Sequence, residues 1–519
     1  MAVFVGAVAI LAVAYGPHVV NGGFYNDDWT DTSFMYFEKH VRTVLEQVHA
    51  GYAHRPLYVL YGPVLHWVVG DRPWLLNSWS LVLATGFAVA MWAVLREYGL
   101  GAIPAAAAAY LTVLFPFADS SRLWAASSHM TLSLTLFCVG MLATLRAFSR
   151  DGSRALWLHV AAATLYLASL AIFEITAGLI AGSGLLYILS ERRRRAYVRW
   201  ALDIVIAVLF VAIFTVGQQT AYERSGLSGQ LENAQRIVDQ AWTLFAWAAV
   251  PFGDARRDVT TLVVMAVVAA GVATWRFGPP PLAGQARRWL VVAGAGMLVI
   301  GLGYLPFVPA DPNQYQPLFH GGQNRVNMAA SPGYAIVFVA LAQLAGLAVA
   351  AVGRLRPAVA GAIGVAIVVL LGLGMAGDVA KDRAVWARSW DRQTALLAEV
   401  KAKVPRPQLK ASILTFGHAG AEQFGVPLLG GQYDVTHALR LTYRRPDITG
   451  AAVLQGTRLD CGAQEVTLTG GSSDGYRAQY GRTTFVDVGT HDAQAITSPA
   501  RCRQVLPRMT PGPVYRVNR

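Results

Sequence analysis

The chain has 519 residues, of which 55% are hydrophobic and only 14% charged, with a net charge of +13. A chain this apolar is not an ordinary soluble domain. Nor does the positive charge point to nucleic acid, because most arginines sit in short clusters between apolar runs, where cytoplasmic loops of membrane proteins carry them.

Apolar runs of about 20 residues recur from the N-terminus to roughly residue 376, each long enough to cross a bilayer. The first, Met1 to Val20, has no basic leader and no small-residue cleavage site, so it reads as a retained helix rather than a signal peptide. Basic punctuation falls at Arg96, at Arg146, Arg150 and Arg154, at Arg192 to Arg195 with Arg199, at Arg276, Arg287 and Arg288, and at Arg354 and Arg356. The positive-inside rule places all of it on the cytoplasmic side. The expected spans are 1–20, 74–95, 101–117, 127–146, 155–173, 175–190, 198–217, 258–276, 288–309, 333–352 and 357–375. The predicted fold is therefore a polytopic α-helical membrane protein of about eleven helices. Its N-terminus is cytoplasmic, in a bacterial cytoplasmic membrane.

Tyr58 to Gly70 is apolar but too short to span, so it is expected to lie in the interface within a long first outer loop, 21–73. In the same loop Phe34 to Val48 has helical periodicity, with Phe34, Phe37, Val41, Val44, Leu45 and Val48 on one face. Ala241 to Pro251 is a short aromatic interfacial segment. Past Asp378 the apolar runs shorten and charge rises, which divides a membrane domain (1–376) from a small extracytoplasmic α+β domain (377–519). Trp386 to Val404 reads there as an amphipathic helix, and Ser412 to Phe416 and Thr484 to Val488 as strands. Cys461 and Cys502 share that outward domain and are expected to form a disulfide, whereas Cys138 lies in an apolar run as a small core residue.

The polar outliers gather on the outward side. They are Asp27 and Asp28 directly after the first helix, His54-Arg55-Pro56-Leu57, Asp119 with Arg122, His129 and Glu174. Gln218, Gln219, Tyr222, Glu223 and Arg224 follow, then His320, Gln323-Asn324-Arg325 and Asn327. An acidic pair with scattered arginines on one membrane face suits an anionic, lipid-anchored substrate, since arginine holds phosphate in its fork of donors and a carboxylate takes a proton from a hydroxyl.

The run Tyr25-Asn26-Asp27-Asp28-Trp29, then His54-Arg55-Pro56-Leu57 with Asn77 downstream, resembles the GT-C superfamily of membrane glycosyltransferases, and most closely the protein O-mannosyltransferases. Phe115-Pro116-Phe117-Ala118-Asp119 is similar to that family's second-loop acidic motif. Ile172-Phe173-Glu174 is similar to its Ser-Lys-Glu motif without the lysine, and Asn324-Arg325-Val326 with Ser331-Pro332-Gly333 to its later Glu-Arg-Val motif without the glutamate. The resemblance covers roughly residues 1–350.

It implies an inverting transfer of a sugar from a polyprenyl-phosphate donor to an acceptor hydroxyl on a glycan, glycolipid or protein. Asp27 would be the base and Asp28 would orient the acceptor or a cation. Arg325 would meet the donor phosphate, with Arg224 second and Gln323 and Asn324 beside it. Arg55 either braces the first loop or binds substrate. Asp119 either assists the acidic pair or pairs with Arg122. Glu174 faces the cavity, and Trp29, Trp124 and Tyr222 either stack on sugar or anchor the interface. His129 and His320 read as structural. No metal motif is present, and need for a divalent cation stays open. Two competing readings are a lipid-linked glycan transporter, which would show broken helices in matched halves, and a non-catalytic assembly partner.

Overall fold

The computed structural model describes residues 1–38, 40–188, 193–214, 226–250, 257–310 and 318–513. It opens with α1 (Ala2–Asn21), α2 (Asp27–Phe37), α3 (Val41–Tyr52), α4 (Tyr58–Val69), α5 (Pro73–Glu97), α6 (Ala102–Leu114), α7 (Ser120–Leu123), α8 (Ser128–Phe148) and α9 (Gly152–Ile172). Next come α10 (Ala177–Ala181), α11 (Ser183–Tyr187), α12 (Arg193–Phe214), α13 (Leu227–Ala249), α14 (Arg257–Phe277), α15 (Pro280–Tyr304), α16 (Ser331–Val352) and α17 (Pro357–Lys403). Nine helices among the described residues are long and apolar enough to cross a membrane, and the chain is a multi-pass membrane protein.

Two of the eleven expected spans are not full-length helices. The segment expected over 101–117 is the shorter α6, closed by Phe115 and Pro116. The segment expected over 175–190 is a 3-10 turn, Glu174–Thr176, followed by the short α10 and α11. Its glycines explain the breaks: Gly178 and Gly182 press onto Leu302 of α15, and Gly184 presses onto Trp200 of α12, where any Cβ would collide. Elsewhere small residues let helices close up in the usual membrane manner, as where Gly296 of α15 meets Gly333 of α16.

The loop contacts sort the bundle into two ends. At the basic end Arg146 pairs with Glu97 at 3.8 Å, Arg195 with Asp151 at 3.0 Å, and Arg288 donates to the Gly99 carbonyl. The opposite end, called the acidic end here, carries α2, α3, α4, α7 and the turn Gly322–Asn327. The expected single interfacial helix over Phe34 to Val48 falls into two helices, α2 and α3. The aromatic segment expected over Ala241 to Pro251 is, in its described part, the end of one longer amphipathic helix, α13 (Leu227–Ala249). It lies at the acidic end, where the Asn233 amide donates to the carbonyls of Phe307 and Val308 at 3.1 Å.

A single 47-residue helix, α17, runs through position 376. At 1.5 Å per residue it is about 70 Å long, more than twice the ~30 Å hydrocarbon core. The separate helix expected from Trp386 is therefore the continuation of the last span. It leads into β1 (Ser412–Phe416), β2 (Ala421–Glu422), β3 (Val426–Pro427), α18 (Gln432–Tyr443), β4 (Thr449–Ala452), β5 (Arg458–Cys461), β6 (Glu465–Thr469), β7 (Arg477–Gln479), β8 (Thr483–Asp487), β9 (Asp492–Ile496) and α19 (Pro499–Val505). The main sheet has the order β4-β1-β8-β9, with β1 parallel to both β4 and β8 and β9 antiparallel at the edge. Every residue of β1 is buried, as suits a central strand covered on both faces. Cys461 and Cys502 are bonded, with Cα atoms 5.9 Å apart, and Cys138 is buried and free.

Candidate active site

The chain leaves α1 through Gly22 and Gly23, and Gly23 lies against the indole of Trp390 where no side chain fits. Asn26 then takes a positive φ of 46°, and α2 starts at Asp27. Both acids therefore occupy the first turn of a helix, where the positive end of the helix dipole favours carboxylates.

Helical geometry separates the two neighbours. Asp28 is fully buried: Oδ2 accepts the Tyr25 N–H at 3.0 Å and Oδ1 accepts the Ala126 N–H at 2.7 Å. It ties α2 to the turn before α8. Burial pushes its carboxyl well above the usual range, while the two N–H donors pull it back. Asp27 keeps part of its surface exposed. Burial raises its pKa, and the charges of Arg325 and then Arg55 lower it, so both guanidinium groups act on this carboxylate.

One turn on, Asp31 shares a helix face with Asp27. Burial and then the Asp27 charge push its carboxyl up to about 7. Tyr58 of α4 donates to Asp31 Oδ2 at 3.4 Å, and His66 Nε2 stands 3.8 Å from the same oxygen.

Arg55 forms two bonds to Glu174, Nε to Oε2 at 2.8 Å and Nη2 to Oε1 at 2.7 Å, and its guanidinium lies 3.8 Å from the centre of the Phe173 ring. This fork-to-fork pair joins the first loop to the start of the broken segment at 174 and holds a positive charge near Asp27. Arg325 projects from the turn Gly322–Asn327 with its guanidinium 4.8 Å from the Trp124 ring centre. Gln323 is partly exposed in the same turn.

Asn324 turns inward. Its Nδ2 donates to Asp119 Oδ1 at 2.7 Å and its Oδ1 accepts the Ser120 N–H at 3.1 Å. Asp119 is wholly buried, and burial followed by the nearby Asp382 raises its pKa well above the ordinary value. Asp382, on α17, lies near enough to Asp119 for their charges to interact, and its Oδ2 meets His320 Nδ1 at 2.8 Å. Arg122 is engaged elsewhere, donating to the carbonyls of Ala118 at 2.8 Å and Thr112 at 3.1 Å. The Asn324–Asp119–Asp382–His320 chain thus fastens the Arg325 turn to α17. His129 packs between Tyr58 and Phe173, its ring centre 4.8 Å from each and inclined to both. Trp29 packs on Phe24 and Trp390.

The structure thus brings Asp27, Asp28, Arg55, Asp119, Glu174, Gln323, Asn324 and Arg325 to one end of the bundle. Tyr222 and Arg224 lie outside the described residues, as do Gln218, Gln219 and Glu223. Among the described residues no group of three or more His, Cys, Asp or Glu side chains is placed to hold a metal ion.

The chain is similar to ArnT from Cupriavidus metallidurans bound to undecaprenyl phosphate, with 14% identity over 85% of this chain and 84% of that one, at a TM-score of 0.38. It is also similar to the Archaeoglobus fulgidus oligosaccharyltransferase tethered with an acceptor peptide, with 11% identity over 86% of this chain and 63% of that one, at a TM-score of 0.43. No protein-family model and no curated protein matches the chain.

Three members of the cluster escaped the sequence reading. Asp31 had a visible signal, its spacing of four from Asp27 on one helix. Tyr58 had none, since it reads as one more aromatic in an interfacial helix. Asp382 had none either, because it lies past position 376, in the stretch the sequence assigns to the extracytoplasmic α+β domain, whereas the helix of the last span runs through it.

Proposed function

We propose that the chain is a GT-C-type glycosyltransferase that moves a sugar from a polyprenyl-phosphate donor to an acceptor hydroxyl at the outer membrane face, with inversion. The motif resemblance names the chemistry. The observation that carries the assignment is that Asp27, not Asp28, keeps an exposed surface while Arg325, from a distant turn, acts on its charge.

In this reading the acceptor O–H gives its proton to Asp27 as its oxygen forms a bond to the anomeric carbon. The bond from that carbon to the lipid phosphate breaks, and its electron pair leaves on the phosphate. Arg325 stabilises that anion, so no general acid is required. Asp27 suits the role of base because burial raises its pKa and makes it a stronger proton acceptor than an exposed carboxylate, while the charges of Arg325 and Arg55 favour its ionised form. Asp28 holds α2 in place through two backbone N–H groups.

The test is sugar transfer by purified protein from a radiolabelled polyprenyl-phosphate sugar, read beside thermal unfolding. Asp27→Asn is expected to lose about a hundred- to ten-thousand-fold in rate with unchanged stability. Asp28→Asn is expected to lower stability first. Full transfer by Asp27→Asn would falsify the assignment. Transport of a lipid-linked sugar across vesicles by that same variant would favour the transporter reading.

A further inference from the structure

An apolar cavity of about 410 Å³ opens among α5, α8, α11, α15 and α16, and no residue of the candidate site lines it. Leu95 of α5, Leu134 and Met141 of α8, Leu186 of α11 and Val292 and Ala295 of α15 are among its walls. It exists because the segment 174–187 is made of short turns. Even as unbroken helix this segment would reach only about 20 Å, short of the ~30 Å hydrocarbon core. Neighbouring helices run the full depth, so a gap opens between α8 and α15.

The mouth of the cavity is cationic. Arg287 and Arg288, two turns into α15, line it together with Tyr98 at the end of α5. Arg288 also donates to the Gly99 carbonyl, which fixes this mouth at the basic end, opposite Asp27 and Arg325. Hydrocarbon walls closed by two guanidinium groups match one ligand chemistry, an acyl chain with a phosphate at its head.

We propose that this cavity is a lipid site at the basic end. It takes an acyl chain of an anionic glycerophospholipid, with the phosphate held by Arg287 and Arg288. The isoprenoid tail of a donor entering from the acidic end fits the walls but brings no anion to Arg287 and Arg288, so the charge favours a separate lipid. This inference needs only the membrane fold and stands whether or not the chain transfers sugar.

The full-length purified protein is examined by native mass spectrometry with phosphatidylglycerol and with phosphatidylcholine of the same acyl chains. Phosphatidylglycerol is expected to bind about tenfold more tightly, a difference near 1.4 kcal/mol. Gly284→Phe should abolish that binding, because Gly284 lines the cavity and an added Cβ there meets no atom within 4 Å. Arg287→Gln with Arg288→Gln should reduce phosphatidylglycerol to the phosphatidylcholine level. Ala295→Phe provides a second plug if Gly284→Phe fails to fold. Equal binding of the two lipids by the unaltered protein overturns the proposal. So does phosphatidylglycerol binding that survives a folded plug. A folded plug that blocks polyprenyl phosphate while sparing phosphatidylglycerol assigns the cavity to an isoprenoid tail and also overturns it.

Discussion

At the scale of the residue, two adjacent aspartates of one sequence motif have opposite environments. A helix turns about 100° per residue, so the two neighbours meet different surroundings, Asp28 buried and Asp27 partly exposed. The same geometry recruits Asp31, whose carboxyl burial pushes up to about 7. Transfer is expected to rise with pH as Asp27 ionises, and to show a second inflection near pH 7 as Asp31 ionises beside it. Asp31→Asn should delete the second inflection and leave the lower limb, as read from the pH dependence of kcat/KM. Stability has its own sign. A carboxyl whose folded pKa lies above its unfolded value favours the folded state most below the unfolded pKa, about 4. That contribution fades as pH climbs through the folded value of about 7. The thermal midpoint of the unaltered protein should therefore fall relative to Asp31→Asn between about pH 4 and pH 7.

At the scale of the element, the broken segment after Glu174 is anchored by charge rather than by its own helix. Arg199 and Asp203 of α12 form a buried ion pair at 2.7 Å. Ser183 and Tyr187 of α11 donate to the same carboxylate at 2.9 Å and 2.7 Å, and Tyr166 meets Tyr187 at 2.8 Å. Removing one partner leaves a buried charge uncompensated. Arg199→Ala or Asp203→Ala should cost about 3–5 kcal/mol, read as a marked fall in thermal midpoint in detergent. Arg199→Met with Asp203→Leu should cost far less than either single change, because a dry pair of similar volume needs no partner. The sequence placed Arg199 correctly among the basic-end residues, where the charge rule alone was enough. It concealed the partner, because an aspartate in an apolar run carries no sign of which neighbour faces it.

At the scale of the whole molecule, the last span and the C-terminal domain act on the helix that carries the acids. Trp29 Nε1 donates to Gln393 Oε1 at 2.8 Å, and Tyr25 donates to the Trp386 carbonyl at 2.8 Å. Arg444 beside α18 pairs with Asp71 at 2.7 Å, and His437 of α18 lies 4.9 Å from the Phe34 ring centre. The chain beyond the membrane-spanning part of α17 is therefore a brace on the first loop. Gln393→Ala leaves the Trp29 N–H buried and unpaired, a cost of about 1–3 kcal/mol. Sugar transfer is expected to fall several-fold while far-UV circular dichroism stays unchanged. Undiminished transfer would remove α17 from any role in positioning Asp27.

The chain by itself determined the membrane class, the order of the spans, the pairing of basic loops at one end and the gathering of acids and arginines at the other. Each of these depends on a local quantity, the hydrophobicity of a segment or the charge beside it, because crossing hydrocarbon is decided segment by segment. Only the tertiary structure decided which aspartate keeps some exposed surface, that Arg55 clasps Glu174, that Asp119 answers to Asn324 and Asp382, and that one span continues into the C-terminal β-containing part of the chain. Those outcomes depend on what each helix face meets across the bundle, and the period of a helix states which residues share a face without stating what lies opposite it.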